Sequence, residues 1–133
     1  MTEKPTVASY MATDLHTLSP DADIRDAVDF LLEHRISGAP VIDTEGALVG
    51  VISEKDCLRL LATGDDHQKA SGVVADFMTR EPATIPSTMD VYFAAGVFLT
   101  RPYRRFPVVD EGKLVGQVSR RDILKAIQTL MPR

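Results

Sequence analysis

The chain has 133 residues, 44% hydrophobic and 26% charged, with a formal net charge of −4, which is one soluble domain's worth of chain with enough apolar residues for a sizeable core. No apolar run approaches the ~20 residues of a membrane span, Met1-Thr2-Glu3-Lys4-Pro5 lacks the basic-then-apolar pattern of a signal peptide, and an acidic chain without a basic stripe argues against duplex nucleic acid as a partner. The single cysteine, Cys57, excludes an intramolecular disulfide framework and fits a reducing cytoplasm.

Residues 1–6 read as a loose tail, and residues 7–11 fit a short helical turn. Thr17-Leu18-Ser19-Pro20 is extended, because a residue before proline disfavours the helical region. Asp23 or Asp21 caps a helix over residues 24–34, with Ile24, Ala27, Val28, Leu31 and Leu32 on one face. Pro40-Val41-Ile42-Asp43 is a short buried strand, Thr44-Glu45-Gly46 a hairpin turn, and residues 48–52 the return strand. Ser53 then starts a helix that runs through Leu61. Residues 63–73 form a polar linker.

The second half repeats the first. Residues 7–43 and 74–110 align at a constant offset of 67, with identities that include Val7/Val74, Met11/Met78, Thr17/Thr84, Asp23/Asp90, Pro40/Pro107 and Asp43/Asp110. One residue drops out of the turn. The match resumes at an offset of 66 with Gly46/Gly112, Gly50/Gly116, Ser53/Ser119 and Asp56/Asp122. Residues 74–78 are thus a second helical turn, Thr84-Ile85-Pro86 an extended piece, and residues 91–100 a helix. Strands follow at 107–110 and 114–118. A last helix begins at Ser119, carries Ile123, Leu124, Ile127 and Leu130 inward, and ends before Pro132. The organisation predicted is a tail (1–6), one repeat (7–62), the linker and a second repeat (74–131). The fold class is α/β (α+β): a β-α-β-β-α unit used twice, the two copies related by a pseudo-twofold axis. A tandem unit of this length is a supersecondary repeat, and clefts between two copies are natural ligand sites.

The copies differ in two ways. Residues 1–67 hold five Lys or Arg against thirteen Asp or Glu, whereas residues 68–133 hold ten against six. The excess cations cluster at Arg101, Arg104 and Arg105, then Arg120 and Arg121. Such a cluster is either a solvated face complementing the acidic half or a set of phosphate contacts, since the guanidinium matches phosphate geometry. The helix at 91–100 also carries Tyr92 and Phe93 where the first copy has Arg25 and Asp26. A helix apolar nearly all round is buried on more than one side, by a deeper core or by self-association.

Each copy ends its return strand in Gly-x-x-Ser-x-x-Asp: Gly50, Ser53 and Asp56, then Gly116, Ser119 and Asp122. Serine at an N-cap with an acid three residues on is a capping box, and that alone explains the spacing. The same geometry suits a ligand. Free N–H groups at a helix start favour an anion, the carboxylate can accept from both hydroxyls of a ribose, and glycine lets a ligand approach the backbone. Arg120 and Arg121 in a first helical turn oppose the macrodipole, which a bound polyanion would offset. Arg104 and Arg105 precede a strand start. Other chemistries find no support. His16, His34 and His67 lack metal-ligand spacing. Cys57 reads as a small core residue without a partner to lower its pKa. Ser53 and Ser119 lack a histidine base, and no phosphate loop of the GxxxxGK[ST] or GxGxxG kind is present. The Met residues at 11, 78, 89 and 131 read as core filler or helix ends.

The segments His34-Arg35-Ile36-Ser37-Gly38-Ala39-Pro40-Val41-Ile42-Asp43 with Gly46-x-Leu48-Val49-Gly50-Val51-Ile52-Ser53-x-x-Asp56, and their counterparts Tyr103-Arg104-Arg105-Phe106-Pro107-Val108-Val109-Asp110 with Gly112-x-Leu114-Val115-Gly116-x-Val118-Ser119-x-x-Asp122, resemble CBS domains. The whole chain from residue 7 to about 130 resembles a stand-alone CBS pair, or Bateman module. That resemblance implies an adenosine-containing ligand (AMP, ADP, ATP, S-adenosylmethionine or NAD) in two clefts between the repeats. Cleft one would use Ser53 and Asp56 with Thr84, Ile85, Arg104, Arg105, Phe106 and Pro107. Cleft two would use Ser119 and Asp122 with Thr17, Leu18, Ser37, Ala39 and Pro40, with Arg120 and Arg121 as further phosphate contacts beside Lys55. The carboxylate would hold the ribose, the serine a phosphate or ribose oxygen, and the strand backbone the adenine edge. It implies a homodimer in a flat disc; no catalysis and no metal are expected from the residues, and an effector protein would be acted on in trans. The Tyr92/Phe93 helix and the final helix are the candidate dimer surfaces. The expectation is a cytoplasmic nucleotide sensor that signals by conformational change. The competing reading is an interaction module whose Ser-x-x-Asp turns are caps and whose clefts stay empty.

Overall fold

Asp23 and Asp90 set the starts of the two long helices. Each stands in extended backbone and accepts a hydrogen bond from a first-turn N–H, that of Arg25 at 2.8 Å and that of Phe93 at 2.8 Å, which satisfies donors a helix start otherwise leaves open. The helices are α1 (Ile24–His34) and α5 (Val91–Thr100), with the bounds the sequence predicts. The computed structural model describes residues 4–62, 71–131 and 133. Residues 63–70 of the predicted linker, and Pro132, lie outside the described residues.

Each long helix leads into an antiparallel hairpin: β1 (Gly38–Ile42) with β2 (Leu48–Ser53), and β4 (Arg105–Asp110) with β5 (Lys113–Ser119). The hairpin turns need left-handed backbone, supplied by Gly46 (φ 82°) and Gly112 (φ 80°). The extended pieces run parallel to the first strand of each hairpin, Leu18 beside Val41 and Ile85 beside Val108. After β5 comes α6 (Arg120–Leu130). The matching helix of the first copy is not continuous to Leu61 as expected. It breaks into α2 (Glu54–Cys57) and α3 (Arg59–Ala62), because the Leu58 N–H is shared between the Glu54 and Lys55 carbonyls at 3.1 and 3.2 Å, a local tightening toward the three-residue pattern.

The chain folds as two compact units, one made of His16–Pro82 and the other of the residues up to Leu15 together with Ala83–Arg133. These are not the segments that repeat in the sequence. In the first unit, α4 (Val74–Phe77) and β3 (Thr79–Arg80) complete the sheet in the order β1-β2-β3. In the other, the short 3-10 turn Val7–Ser9 and an antiparallel bridge from Ala12 to Gln117 do the same beside β5. Val74 and Met78 are buried with Ile24, Leu31, Val41 and Ile52, and Val7 with Phe98, Phe106, Val108 and Val118. The expected loose tail is anchored from Pro5 onward: its carbonyl accepts from Val91 N at 3.0 Å, and Thr6 bridges Asp90.

Two expectations about inward faces fail. Leu32 on α1 is 71% exposed, and on α6 Leu124 and Ile127 are 62% and 45% exposed, while Ile123 and Ala126 are buried. On α6, Leu124 and Ile127 form a second apolar stripe next to the one its own core uses. No described helix is long and apolar enough to cross a membrane.

The role expected for Gly50 and Gly116 is also corrected. They do not open the backbone to a ligand. A Cβ on Gly50 would meet Met78 Sδ at 2.7 Å and the Thr79 carbonyl at 2.8 Å; one on Gly116 would meet Met11 Sδ at 2.6 Å and the Ala12 carbonyl at 2.9 Å. These glycines admit the added segment of each unit. Gly50→Ala and Gly116→Ala are therefore expected to destabilise by about 1–3 kcal/mol in chemical denaturation, as overpacking does. Gly96→Ala, in α5 with nothing within 4 Å, is expected to stabilise by up to about 1 kcal/mol.

Ser87 donates from its hydroxyl and its N–H to the Asp110 carboxylate, at 2.5 and 3.0 Å. The hydroxyl bond first, and the N–H bond next, hold that carboxyl below its ordinary value. A carboxyl depressed in the folded state adds stability above its unfolded value, about 3.9, and loses it as pH falls through the folded value. Unfolding midpoints measured from pH 6 to pH 2 should drop below about pH 4 for the wild type, and less steeply there for Ser87→Ala.

Candidate functional site

The strand-to-helix junction is built alike in both units. In the His16–Pro82 unit, Ser53 caps α2: the Asp56 N–H donates to Ser53 Oγ at 3.1 Å, and Ser53 N–H and Oγ–H donate to Asp56 Oδ2 at 3.0 and 2.9 Å. In the other unit Ser119 caps α6 with the same three bonds, at 3.2, 2.8 and 3.0 Å. Both are complete capping boxes. One carboxylate oxygen closes the box, and the second lies outside it.

The remaining predicted residues fall beside these turns in two matching sets. Next to Ser53, the Ser37 carbonyl accepts from Glu54 N at 2.9 Å, Gly38 pairs with Ser53 and Ala39 with Ile52. Leu18 N donates to the Pro40 carbonyl at 3.0 Å, which brings Thr17 and Leu18 alongside β1. Next to Ser119, the Arg104 carbonyl accepts from Arg120 N at 3.0 Å, Arg105 pairs with Ser119 and Phe106 with Val118. Ile85 N donates to the Pro107 carbonyl at 3.1 Å, which brings Thr84 and Ile85 alongside β4.

Not all of these residues offer a side chain. Ala39, Pro40, Ile85, Phe106 and Pro107 are buried in their own units. The Phe106 ring packs edge-on against Phe98 (centroids 5.0 Å apart) and Tyr103 (5.5 Å), so it is no platform for a base, and only its backbone can serve. Thr84, Arg104, Arg105, Arg120 and Arg121 are exposed, as is Ser37; Thr17, Leu18, Ser53, Ser119 and Asp122 are half-buried.

The two carboxylates differ in their second oxygen. Asp56 is buried, and its Oδ1 accepts from Arg59 Nη2 at 3.4 Å and Thr79 Oγ1 at 3.5 Å. Asp122 Oδ1 has no such partner among the described residues. At the positions equivalent to Arg59 and Thr79 stand Lys125 and Ala12. The sequence reading passed over Arg59 and Thr79, although the repeat alignment already displays both differences. It also separated histidines that the fold joins. The His16 and His34 rings stack at 4.1 Å, with Phe30 edge-on to His34 at 4.5 Å. Among the described residues no three His, Cys, Asp or Glu side chains come together as metal ligands. Burial first, then Asp56 and Glu54, push the Cys57 thiol up, away from reactive thiolate.

Comparison with known proteins agrees with this architecture. A family model, the CBS domain, matches residues 7–63 and 74–129. The chain is 32% identical to the chloroplastic CBS domain-containing protein CBSX1 of Arabidopsis thaliana, over 91% of this chain and 63% of that protein, so it spans less than two thirds of that relative's length. Among solved structures, CBSX2 in complex with AMP superimposes with a TM-score of 0.81 at 34% identity, over 95% of this chain and 98% of that one. The CBS domain pair of protein MJ0100, solved with 5′-methylthioadenosine and S-adenosyl-L-methionine, gives a TM-score of 0.74 at 26% identity, over 96% and 99%. Two family matches covering most of the chain, each containing one of the two strand-to-helix junctions, show that this chain belongs to the CBS domain family.

Proposed function

We propose that the chain is a regulatory module that binds an adenosine-containing ligand and does not turn it over. The observation that carries this reading is the doubled junction. Each unit presents a serine and an aspartate fixed by a capping box beside a strand start, with one carboxylate oxygen beyond the box. A carboxylate so placed can accept both hydroxyls of a ribose, and AMP in CBSX2 and the adenosine compounds in the MJ0100 pair support that choice of ligand. Assigning Ser53 and Asp56 to the same ligand as Thr84, Ile85, Arg104, Arg105, Phe106 and Pro107, and Ser119, Arg120, Arg121 and Asp122 to the same ligand as Thr17, Leu18, Ser37, Ala39 and Pro40, rests on the family resemblance. Binding would bias two arrangements of the chain by differential affinity, and an effector protein in trans would respond. The single Cys57 suits a reducing compartment such as the cytoplasm.

The test is a thermal-shift titration against AMP, ADP, ATP, NAD and S-adenosylmethionine. A ligand at a hundred times its dissociation constant adds about 2.7 kcal/mol, a rise of roughly 8 °C for a chain this long. Asp56→Ala and Asp122→Ala should each lose about 1 kcal/mol as broken caps, and at least one should also lose the ligand-induced rise. A flat panel at millimolar ligand, with only the capping loss, would return the chain to the interaction-module reading.

The same module pairs with a second copy in this reading. The two units expose equivalent apolar positions: Leu32, Leu58 and Leu61 in one, Leu99, Leu124 and Ile127 in the other, with Tyr92, Phe93 and Met131 beside the latter set. Aromatic and aliphatic side chains gathered on helix faces mark association surfaces. Light scattering behind size exclusion should give twice the monomer mass for the wild type, and the monomer mass for Phe93→Asp with Leu124→Asp.

A further inference from the structure

The exposed apolar residues of the two units stand at equivalent positions but in opposite charge. In the His16–Pro82 unit, Leu32 lies on α1, which sets Asp26, Asp29 and Glu33 against Arg25, and Arg25 is paired with Asp23 at 3.3 Å. Asp29, Leu32 and Glu33 are spaced three and four apart, so they share one helix face, and all three are exposed. Residues 54–62, with exposed Leu58 and Leu61, add no net charge: Glu54 and Asp56 offset Lys55 and Arg59. In the other unit, Leu99 lies on α5, which has no charged residue. Leu124 and Ile127 lie on α6, which sets Arg120, Arg121 and Lys125 against Asp122. Arg121, Leu124, Lys125, Ile127, Gln128 and Met131, with Arg133 beyond the helix, line one open groove. Among the described residues Asp29, Glu33, Arg121 and Lys125 make no ion pair. The contrast extends to the whole units: by sequence the His16–Pro82 unit holds six Lys or Arg against thirteen Asp or Glu, and the other holds nine against six.

We infer that two copies pair crosswise: the α6 face of one copy receives the α1 face of the other, instead of each face meeting its own counterpart. The inference rests on the self-association reading above and adds which faces meet. Apolar burial does not choose between the two arrangements, because both faces offer exposed leucines. Charge does. Like-with-like pairing sets the cations of α6 against themselves and the carboxylates of α1 against themselves, and like charges across an interface disfavour association. Crosswise pairing sets cations against carboxylates at both contacts. Two equivalent contacts related by a twofold axis give a closed dimer. A second copy is the occupant this surface fits, since the acidic, leucine-bearing face that complements α6 stands at the matching positions of the same chain's other repeat.

Sedimentation equilibrium of the chain at low and high salt tests this. Salt screens attraction between opposite charges, so the wild-type dimer is expected to weaken by about tenfold between about 0.05 M and about 0.5 M NaCl. Lys125→Glu with Gln128→Glu, and Asp29→Lys with Glu33→Lys, are each expected to weaken the dimer by about tenfold at low salt. All four substitutions in one chain are expected to bring it back to within about threefold of the wild type. Like-with-like pairing gives other results: salt tightens the dimer, the α6 reversal does not weaken it, and combining the reversals restores nothing. A wild-type dimer that salt tightens or leaves unchanged, or single reversals without effect, overturns the inference while self-association stands. A wild type at monomer mass under both salts overturns the self-association reading and the inference with it. Circular dichroism establishes the fold of each variant, and where a reversal does not fold, the sign of the wild-type salt dependence decides alone.

Discussion

The structure depends on how β2 and β5 stop. At each stop a serine leaves the sheet in extended backbone, its hydroxyl takes the N–H of the aspartate three residues on, and that aspartate takes the serine N–H and hydroxyl in return. This closed set of bonds satisfies the last donor of the strand and a first donor of the helix together. It fixes the direction in which the helix departs, and so where the helix lays its core stripe. It also fixes a carboxylate at a reproducible place beside the strand start. In the proposed function, stability and ligand chemistry use the same two side chains. They would use different oxygens: Oδ2 closes the capping box in both, and Oδ1 lies outside it.

Duplication supplied two such junctions, and their surroundings have diverged. Around Asp56 the protein provides its own partners for the second oxygen, Arg59 and Thr79. Around Asp122 it provides none among the described residues and places arginines nearby instead. The first junction is thus more fully satisfied within its own unit than the second. Neither property follows from the shared Ser-x-x-Asp pattern. Each follows from residues one turn away or on the added segment.

Much of this was legible in the sequence because the signals were local. The bounds of α1 and α5 could be read from Asp23 and Asp90, since an N-cap is a property of one side chain and its next few N–H groups. The hairpins were legible from Gly46 and Gly112 with apolar runs on both sides. What failed involved distance along the chain. Gly50 and Gly116 looked like ligand approaches because nothing local reveals that Met78 and Met11 fill the space. Leu124 and Ile127 share a helical period with Ile123 and Ala126, so periodicity alone could not say which stripe faces the core. The stacked His16 and His34 are eighteen residues apart in sequence and on no common motif. Buried Phe106 was grouped with the site correctly by position, yet its ring belongs to the core.

These failures share a cause that bears on function. A repeat unit of this size cannot bury all its apolar surface alone, so each sheet recruits a methionine and a short edge segment from elsewhere in the chain, and apolar stripes still remain uncovered. Residues up to Leu15 join Ala83–Arg133, and Val74–Phe77 joins the sheet of β1 and β2. Each unit therefore depends for its core on a covalent neighbour of the other sequence repeat. Tight packing resists gradual deformation and favours discrete arrangements. In the proposed function, binding energy at a carboxylate oxygen would shift the chain between such arrangements, and the uncovered apolar residues are where another chain would respond.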